Sequence, residues 1–284
     1  MCVDLSTAGV RTPNPTRAWG KRLGIPCALA IGLMGSAGPA WGGAWTLDAE
    51  TGALVFTGTA MQSSNAFDRG SKLRAIPRYS KDEAQVLIEY GVTNWFTAMF
   101  APSLQRVDIG APFNAQRSGL GYTDIGGRAL LWSDASWVVS AQATFRIPGV
   151  FDKTNLAAIG YTDPEIEFRG LAGYSFQAGT LPAFIDLEIA QRYRLGGPPD
   201  EFRIDATFGI RPAEKWLLLA QSFNVLSEGA GTWGFGSYAY HKLQLSAVYA
   251  VTPTLSLQLG GYSTYWGRNA LQENGLVVGA WYKF

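Results

Sequence analysis

NGLVVGAWYKF, at residues 274–284, is the stretch of this sequence that decides the fold. Alternate residues of a β-strand point to opposite faces of its sheet. One alternate set here is wholly apolar and ends in two aromatic side chains: Val278, Ala280, Tyr282 and Phe284. In an outer-membrane barrel, the outer face touches lipid and aromatic residues lie at the membrane interface. Tyr282 and Phe284 are therefore predicted to mark the strand that closes a barrel.

The same alternation recurs along the chain and is clearest at residues 137–147, where Ala141, Ala143 and Phe145 alternate with polar residues. Twelve segments are predicted as strands, at residues 52–64, 83–93, 95–107, 122–132, 137–147, 165–176, 183–194, 201–211, 216–225, 238–251, 255–266 and 274–284. Tight and longer connections alternate between them, as the short periplasmic turns and long outer loops of bacterial barrels do. The sequence predicts an all-β protein, a 12-stranded antiparallel transmembrane β-barrel of the outer-membrane type.

The composition agrees with a barrel in a membrane. Only 16% of the residues are charged and 13% are aromatic, whereas about a quarter of an ordinary soluble domain is charged. No stretch after residue 45 approaches the roughly 20 apolar residues that a membrane helix needs. A membrane protein without such helices spans the bilayer as a closed barrel, because every backbone polar group must be paired there.

Residues 1–42 are predicted to be a cleaved signal peptide, and residues 43–284 the barrel. Three basic residues precede an apolar run at residues 23–34, and small residues follow it. This order of charged, apolar and small residues is typical of a secretory signal. Cleavage is expected after Ala40 or Gly42. A membrane anchor is the alternative, but the run is short and contains a proline.

Charge and cysteine content exclude several classes of function. Cys2 and Cys27 both lie in the predicted signal peptide, so the exported chain would carry no thiol or disulfide. The net charge of the whole chain is +1, and there is no basic surface of the kind that nucleic acid requires. The single histidine, His241, lies among residues predicted to face lipid and lacks the partners of a catalytic base. We expect no enzyme activity, no cofactor and no metal site.

If the apolar set faces lipid, the alternate set faces the lumen, because a charge on the lipid face costs about 2–4 kcal/mol near the midplane. This predicts a lumen lined by Glu89, Asp124, Arg128, Arg146, Glu165, Glu167, Arg169, Asp186, Glu188, Arg192, Arg194, Glu201, Arg203, Asp205, Arg211, Lys242 and Lys283. The two signs nearly balance. The set is either a constriction that filters solutes or a salt-bridge lattice that fills the interior. Since eight strands leave no channel and sixteen leave a wide one, we expect a narrow or occluded path.

Four stretches stand out together: GAWTLD (43–48), IEYGVTNW (88–95), LGYTDIGGRALLW (120–132) and GRNALQENGLVVGAWYKF (267–284). They resemble the XagA-like outer-membrane proteins, relatives of the barrels described as "MetA-pathway of phenol degradation". The resemblance extends over residues 43–284 and implies a bacterial outer-membrane barrel. Some members are associated with exopolysaccharide and biofilm genes, others with aromatic degradation. It assigns no functional residues, and we expect no N-terminal plug of the kind that transporters of hydrophobic compounds carry.

The leading hypothesis is a porin-like channel for small polar or aromatic solutes, with both termini in the periplasm. One alternative is a component of exopolysaccharide secretion, in which inward aromatic residues stack on sugars: Trp132, Tyr240, Tyr262 and Trp281. Another is a structural barrel with an occluded lumen. The expected partners are outer-membrane lipid, lipopolysaccharide and the barrel-assembly machinery. Residues 65–82, predicted as a basic outer loop, either contact lipopolysaccharide phosphates or are simply solvated.

Overall fold

A computed structural model describes residues 43–158, 160–232 and 234–284, and the predicted signal peptide lies outside this part of the chain. The described residues form one antiparallel sheet and a short 3-10 turn, Leu156–Ala158. The strands are β1 (Gly52–Phe67), β2 (Leu73–Thr93), β3 (Phe96–Ile109), β4 (Ala115–Ser133), β5 (Trp137–Pro148), β6 (Glu165–Ala178), β7 (Leu181–Arg194), β8 (Glu201–Ala213), β9 (Trp216–Ser227), β10 (Ala239–Ala250), β11 (Leu255–Arg268), β12 (Ala270–Leu271) and β13 (Asn274–Lys283). The two-residue β12 only extends the edge beside β1, so the wall has twelve strands.

The first and last strands of the wall pair with each other and close it. β1 pairs with β2 on one side and with β13 on the other, in a register that sets Ala53 opposite Lys283 and Gln62 opposite Asn274. The Gly52 N–H donates to the Phe284 carbonyl over 2.8 Å, and the Phe284 N–H donates back over 3.0 Å. The predicted 12-stranded barrel is confirmed.

Connections at the two ends of the barrel differ in length. At the end that holds the C-terminus, the strands are joined by residues 94–95, 134–136, 179–180, 214–215 and 251–254. At the other end they are joined by residues 68–72, 110–114, 149–164, 195–200, 228–238 and, around β12, 269–273. We call these the short-turn end and the long-loop end.

The wall is apolar outside and charged inside, the reverse of a soluble protein. Large apolar side chains stand exposed on the outer surface, among them Leu245 at 58%, Leu259 at 64% and Leu276 at 63%. Charged side chains are buried instead, and Glu89 and Arg128 are each only 1% exposed. Among the described residues, no helix is long and apolar enough to cross a membrane. This is a transmembrane barrel of the outer-membrane type.

Residues 65–82 are not the loop that the sequence predicts. β1 and β2 continue through most of this segment, with Phe67 opposite Leu73, and a tight turn joins them. The Asp68 carboxylate accepts the N–H groups of Gly70 and Lys72 and the Arg74 guanidinium, and the pKa of Asp68 is lowered, chiefly by the Lys72 N–H. Arg74, Arg78 and Asp82 belong to the alternate set that is apolar further along β2, from Ala84 to Tyr90, so the lipid-facing pattern of a membrane strand is absent here.

The prediction that Trp132 faces the lumen is also wrong. The pairing of β4 with β5 shifts by one residue between Leu130 and Trp132, at a β-bulge. Because an extra residue in a strand reverses the facing of those beyond it, Trp132 stands on the outer surface, 53% exposed. It is not an inward side chain for stacking on sugars.

Candidate functional site

A lattice of ion pairs covers one side of the barrel interior, on β5, β6, β7 and β8. Inward side chains of neighbouring strands lie opposite one another in these antiparallel pairs, such as Glu167 with Arg192 and Glu165 with Arg194. The Glu167–Arg192 contact is 2.6 Å and the Glu165–Arg194 contact is 2.9 Å. The alternation of glutamate and arginine along these strands therefore becomes direct pairing between them.

Two residues of the lattice bind several partners each. Glu165, 2% exposed, contacts Arg146 at 2.7 Å, Arg194 at 2.9 Å and Arg192 at 3.5 Å. Arg169 contacts three carboxylates in the same way: Glu167 at 2.8 Å, Asp205 at 2.8 Å, and Glu188. Such a network acts as a unit, since several of its charges compensate more than one neighbour.

The remaining members join the lattice at its edges. Arg146 also contacts Asp124 at 2.9 Å, while Arg203 contacts Glu201 at 3.1 Å. Across the interior, Lys242 pairs with Glu273 at 2.5 Å, although Glu273 lies in a connection and was not predicted. Arg211 and Lys283 lie near the short-turn ends of β8 and β13, outside the lattice.

A separate buried pair joins β2 to β4. Arg128 and Glu89, each 1% exposed, approach to 3.1 Å between Nη2 and Oε1. Arg128 also donates from Nε to Gln142 Oε1 over 3.2 Å, and from Nη1 to the Trp45 carbonyl over 2.9 Å. The pair thus holds a segment that precedes the first strand of the wall.

That segment, residues 43–49, lies inside the barrel at the short-turn end, and we call it the plug. It is held by strands around the wall. The Ser140 hydroxyl on β5 donates to the Ala44 carbonyl, and Thr97 Oγ1 on β3 accepts the Leu47 N–H over 2.9 Å. The sequence predicts no plug of the kind that transporters of hydrophobic compounds carry, and it does not reveal this short segment inside the lumen. These contacts are made by the backbone of the plug, which is the same for every residue type. The sequence therefore shows no alternating pattern that would indicate them.

An apolar collar lies against one side of the plug. Five buried side chains of four strands form it: Phe184, Leu217, Leu219, Val248 and Trp281. The indole of Trp45 packs on it, edge-on to Phe184 with ring centroids 5.6 Å apart. Gly173 leaves room for the indole, because a Cβ there would lie 2.6 Å from it. One side of the lumen is therefore apolar at this end, and the lumen is not charged throughout. Residues 216–219 read WLLL, so both faces of β9 are apolar there and the sequence does not show which face points into the lumen.

At the long-loop end, residues 157–158 and 160–163 fold into the mouth of the barrel. Tyr122 Oη on β4 donates to the Asp163 carbonyl over 2.8 Å, and Lys81 Nζ lies 5.1 Å from the centre of the Tyr161 ring. Arg194 donates to the carbonyl of Gly160. Burial raises the pKa of Tyr161 in this mouth. We call this segment the inward loop.

Between the plug and the inward loop lies a polar cavity of about 430 Å³. Its charged lining comes from the lattice and from the opposite wall. Four carboxylates and four guanidiniums line it: Glu83, Asp124, Glu167, Glu188, Arg128, Arg146, Arg169 and Arg192. Glu83 has the same facing as Glu89 and could have been predicted, but the predicted strand only began there. The cavity offers hydrogen-bond donors and acceptors with no excess of either charge.

Two chemistries considered from the sequence do not assemble. His241 lies on the outer wall, its Nδ1 2.7 Å from Asn224 Oδ1 and its ring 4.9 Å from that of Trp266. Trp266 is 38% exposed, so this group belongs to the aromatic surface of the barrel. In the part of the chain that the structure describes, no cluster of His, Cys, Asp or Glu could hold a metal ion.

Solved structures with this fold are outer-membrane proteins. The COG4313 outer membrane channel from Pseudomonas putida F1 is similar at a TM-score of 0.71 with 12% sequence identity, over 87% of this chain and 100% of that one. The translocator domain of the autotransporter NalP from Neisseria meningitidis has a TM-score of 0.52 and 11% identity, over 84% of this chain and 90% of that one. The β domain of the Bordetella autotransporter BrkA has a TM-score of 0.52 and 13% identity, over 83% of this chain and 100% of that one.

These likenesses define the class: the chain has the fold of an outer-membrane β-barrel, and the solved structure that is similar at a TM-score of 0.71 is a channel. No protein-family model and no curated protein sequence matches the chain. The resemblance to the XagA-like proteins therefore stays a prediction.

Proposed function

We propose that the protein is a narrow channel that carries small polar or aromatic solutes across the outer membrane, with both termini in the periplasm. The observation that supports this is the charge-balanced cavity of about 430 Å³ between the plug and the inward loop. The cavity is of the size that small-molecule sites have. Aromatic solutes have a partner there too, since guanidiniums stack on aromatic rings, as Arg146 does on Tyr122 at 4.6 Å. A hydrated polymer would not pass the plug, so we favour small solutes over exopolysaccharide.

The proposal predicts a small, weakly selective conductance in planar lipid bilayers. Narrow passage past the plug limits the current, and the equal numbers of lining acids and bases keep the reversal potential near zero in a salt gradient. The measurement is single-channel recording of the purified barrel at neutral pH. If the protein inserts but no current exceeds that of the bare bilayer, the proposal is wrong and the occluded structural barrel replaces it.

The lining residues should set the ion preference. Arg192→Gln removes one positive charge beside Glu165, Glu167 and Glu201, so we expect the channel to become cation-selective. Glu167→Gln should shift the reversal potential in the opposite direction. Arg74→Gln is a control, because Arg74 is 67% exposed on the β1–β2 hairpin. Equal reversal potentials in all three variants would contradict the assignment of these residues to the permeation path.

We also propose that the β1–β2 hairpin contacts lipopolysaccharide. Arg74 and Arg78 lie on its exposed surface at the long-loop end. The outer leaflet carries phosphates there if the termini are periplasmic, and guanidiniums bind phosphate strongly. The barrel-assembly machinery and the surrounding lipid complete the proposed partners, since the closed wall and apolar outer face require both insertion and a bilayer.

A further inference from the structure

The plug begins against a buried carboxylate. Gly43 and Ala44 are buried, and the Ala44 N–H donates to Asp186 Oδ1 on β7 over 2.9 Å. A Cβ built on Gly43 would lie 2.9 Å from Asp186 Cγ, and 3.0 Å from each of its two carboxylate oxygens. The Cα of Gly43 is therefore next to this carboxylate, and Asp186 itself is only 2% exposed.

Within the part of the chain that the structure describes, Asp186 differs from the other buried carboxylates because it lacks a cationic partner. No Lys or Arg side chain of the described residues forms an ion pair with it, whereas the nearby Glu188 binds Arg169. Arg169 is shared among three carboxylates, and Arg128 already pairs with Glu89. A buried carboxylate is costly unless it is paired. One N–H group does not supply the missing positive charge.

We propose that export cuts the chain between Gly42 and Gly43, and that the freed α-ammonium of Gly43 is the counter-ion of Asp186. Water adds across the peptide bond, so Gly42 leaves with a carboxylate and Gly43 gains an amino group that takes up a proton. This nitrogen is bonded to the Cα that already lies beside the carboxylate. Cleavage after Ala40 would place the ammonium two residues further away.

The sequence is compatible with this site, because Gly42 and Ala40 are the small residues that a signal peptidase requires at the last and third-last positions of the leader. Processing would then complete the plug site, since an uncut chain has an uncharged peptide nitrogen at Gly43. The proposal needs export and the barrel, but it does not need the barrel to conduct.

The cleavage site is tested by intact-mass spectrometry and N-terminal sequencing of the protein purified from outer membranes. The expected chain begins GAWTLD, at Gly43. A chain that begins at Trp41, at Ala44 or at any other residue would overturn the proposal. Neither readout depends on channel activity, so a failure here is distinct from a failure of the proposed function.

The ion pair is tested by labelling the α-amino group of the folded barrel with an amine-acylating reagent at neutral pH. Such reagents favour the α-amine, because its ordinary pKa is about 7.7–8.0 against about 10.4 for lysine. Asp186→Asn should speed labelling by about tenfold, which corresponds to the loss of one pKa unit of ion-pair protection. Ser140→Ala is the matched control, because it removes a contact to the Ala44 carbonyl and keeps the carboxylate. Equal labelling rates in the two variants would overturn the ion pair.

Discussion

Replacing Trp45 by alanine is expected to raise the single-channel conductance several-fold. The indole occupies the apolar collar and packs edge-on against Phe184, with 5.6 Å between the ring centroids. Removing it leaves a gap in the short-turn end of the lumen, next to the polar cavity, and weakens the attachment of the plug. Water and ions then gain a wider path. Planar-bilayer recording of the variant beside the unmodified protein measures the change.

Trp95→Ala is the matched control, because Trp95 lies at the same end of the barrel but is 58% exposed on its outer surface. Its loss should leave the conductance unchanged. A second route to the same effect is Gly173→Val, which places a side chain within 2.6 Å of the Trp45 indole and should displace it. Unchanged conductance in both Trp45→Ala and Gly173→Val would contradict the role of the plug as the main restriction.

Breaking the buried Glu89–Arg128 pair should destabilise the barrel more than any change at an exposed pair. Arg128→Met leaves the Glu89 carboxylate buried at 1% exposure without its partner, and such a loss costs about 3–5 kcal/mol. Arg128 also holds the Trp45 carbonyl, so the plug loosens as well. Urea unfolding of the barrel in lipid vesicles measures the change in the free energy of unfolding.

The control for this variant is Arg74→Met, which breaks the exposed Asp68–Arg74 pair and should cost no more than about 1 kcal/mol. The double variant Glu89→Gln with Arg128→Met should regain much of the lost stability, because it leaves no uncompensated charge in the interior. Comparable losses for Arg128→Met and Arg74→Met would show that the interior pair is solvated rather than buried.

The fold was predictable because one physical rule acts on every membrane strand: lipid on one side imposes alternation with a period of two. The β5 segment carries this signal clearly. The alternation is lost where a strand does not contact lipid and where strand pairing is irregular. In residues 65–82 the outer alternate set is not apolar, because it contains Arg74 and Arg78, and the sequence therefore predicts a loop where the chain forms a hairpin. At Trp132 a β-bulge reverses the facing, and sequence alone does not show where an extra residue is inserted.

In the lumen, only the charged side chains of the lattice were predictable from the sequence. Charges such as Glu167 and Arg192 are placed by strand alternation, and their pairing follows from the antiparallel register. The plug and the inward loop are irregular segments, held by backbone hydrogen bonds and single side chains such as Tyr122. Contacts of this kind leave no periodic pattern. These two segments occupy the two ends of the lumen, whereas the lattice lines its middle.

The plug also has a consequence for the order in which the molecule forms. Ala44 precedes the first strand of the wall, yet its partner Asp186 is 142 positions away, and Ser140 is 96 positions away. Contacts between such distant positions form late, because the chain between them must be ordered first. The plug is thus synthesised before the strands of the wall but docks after them, inside a barrel that is already assembled. A newly inserted barrel should therefore pass through a leaky stage and seal only as this final step is completed.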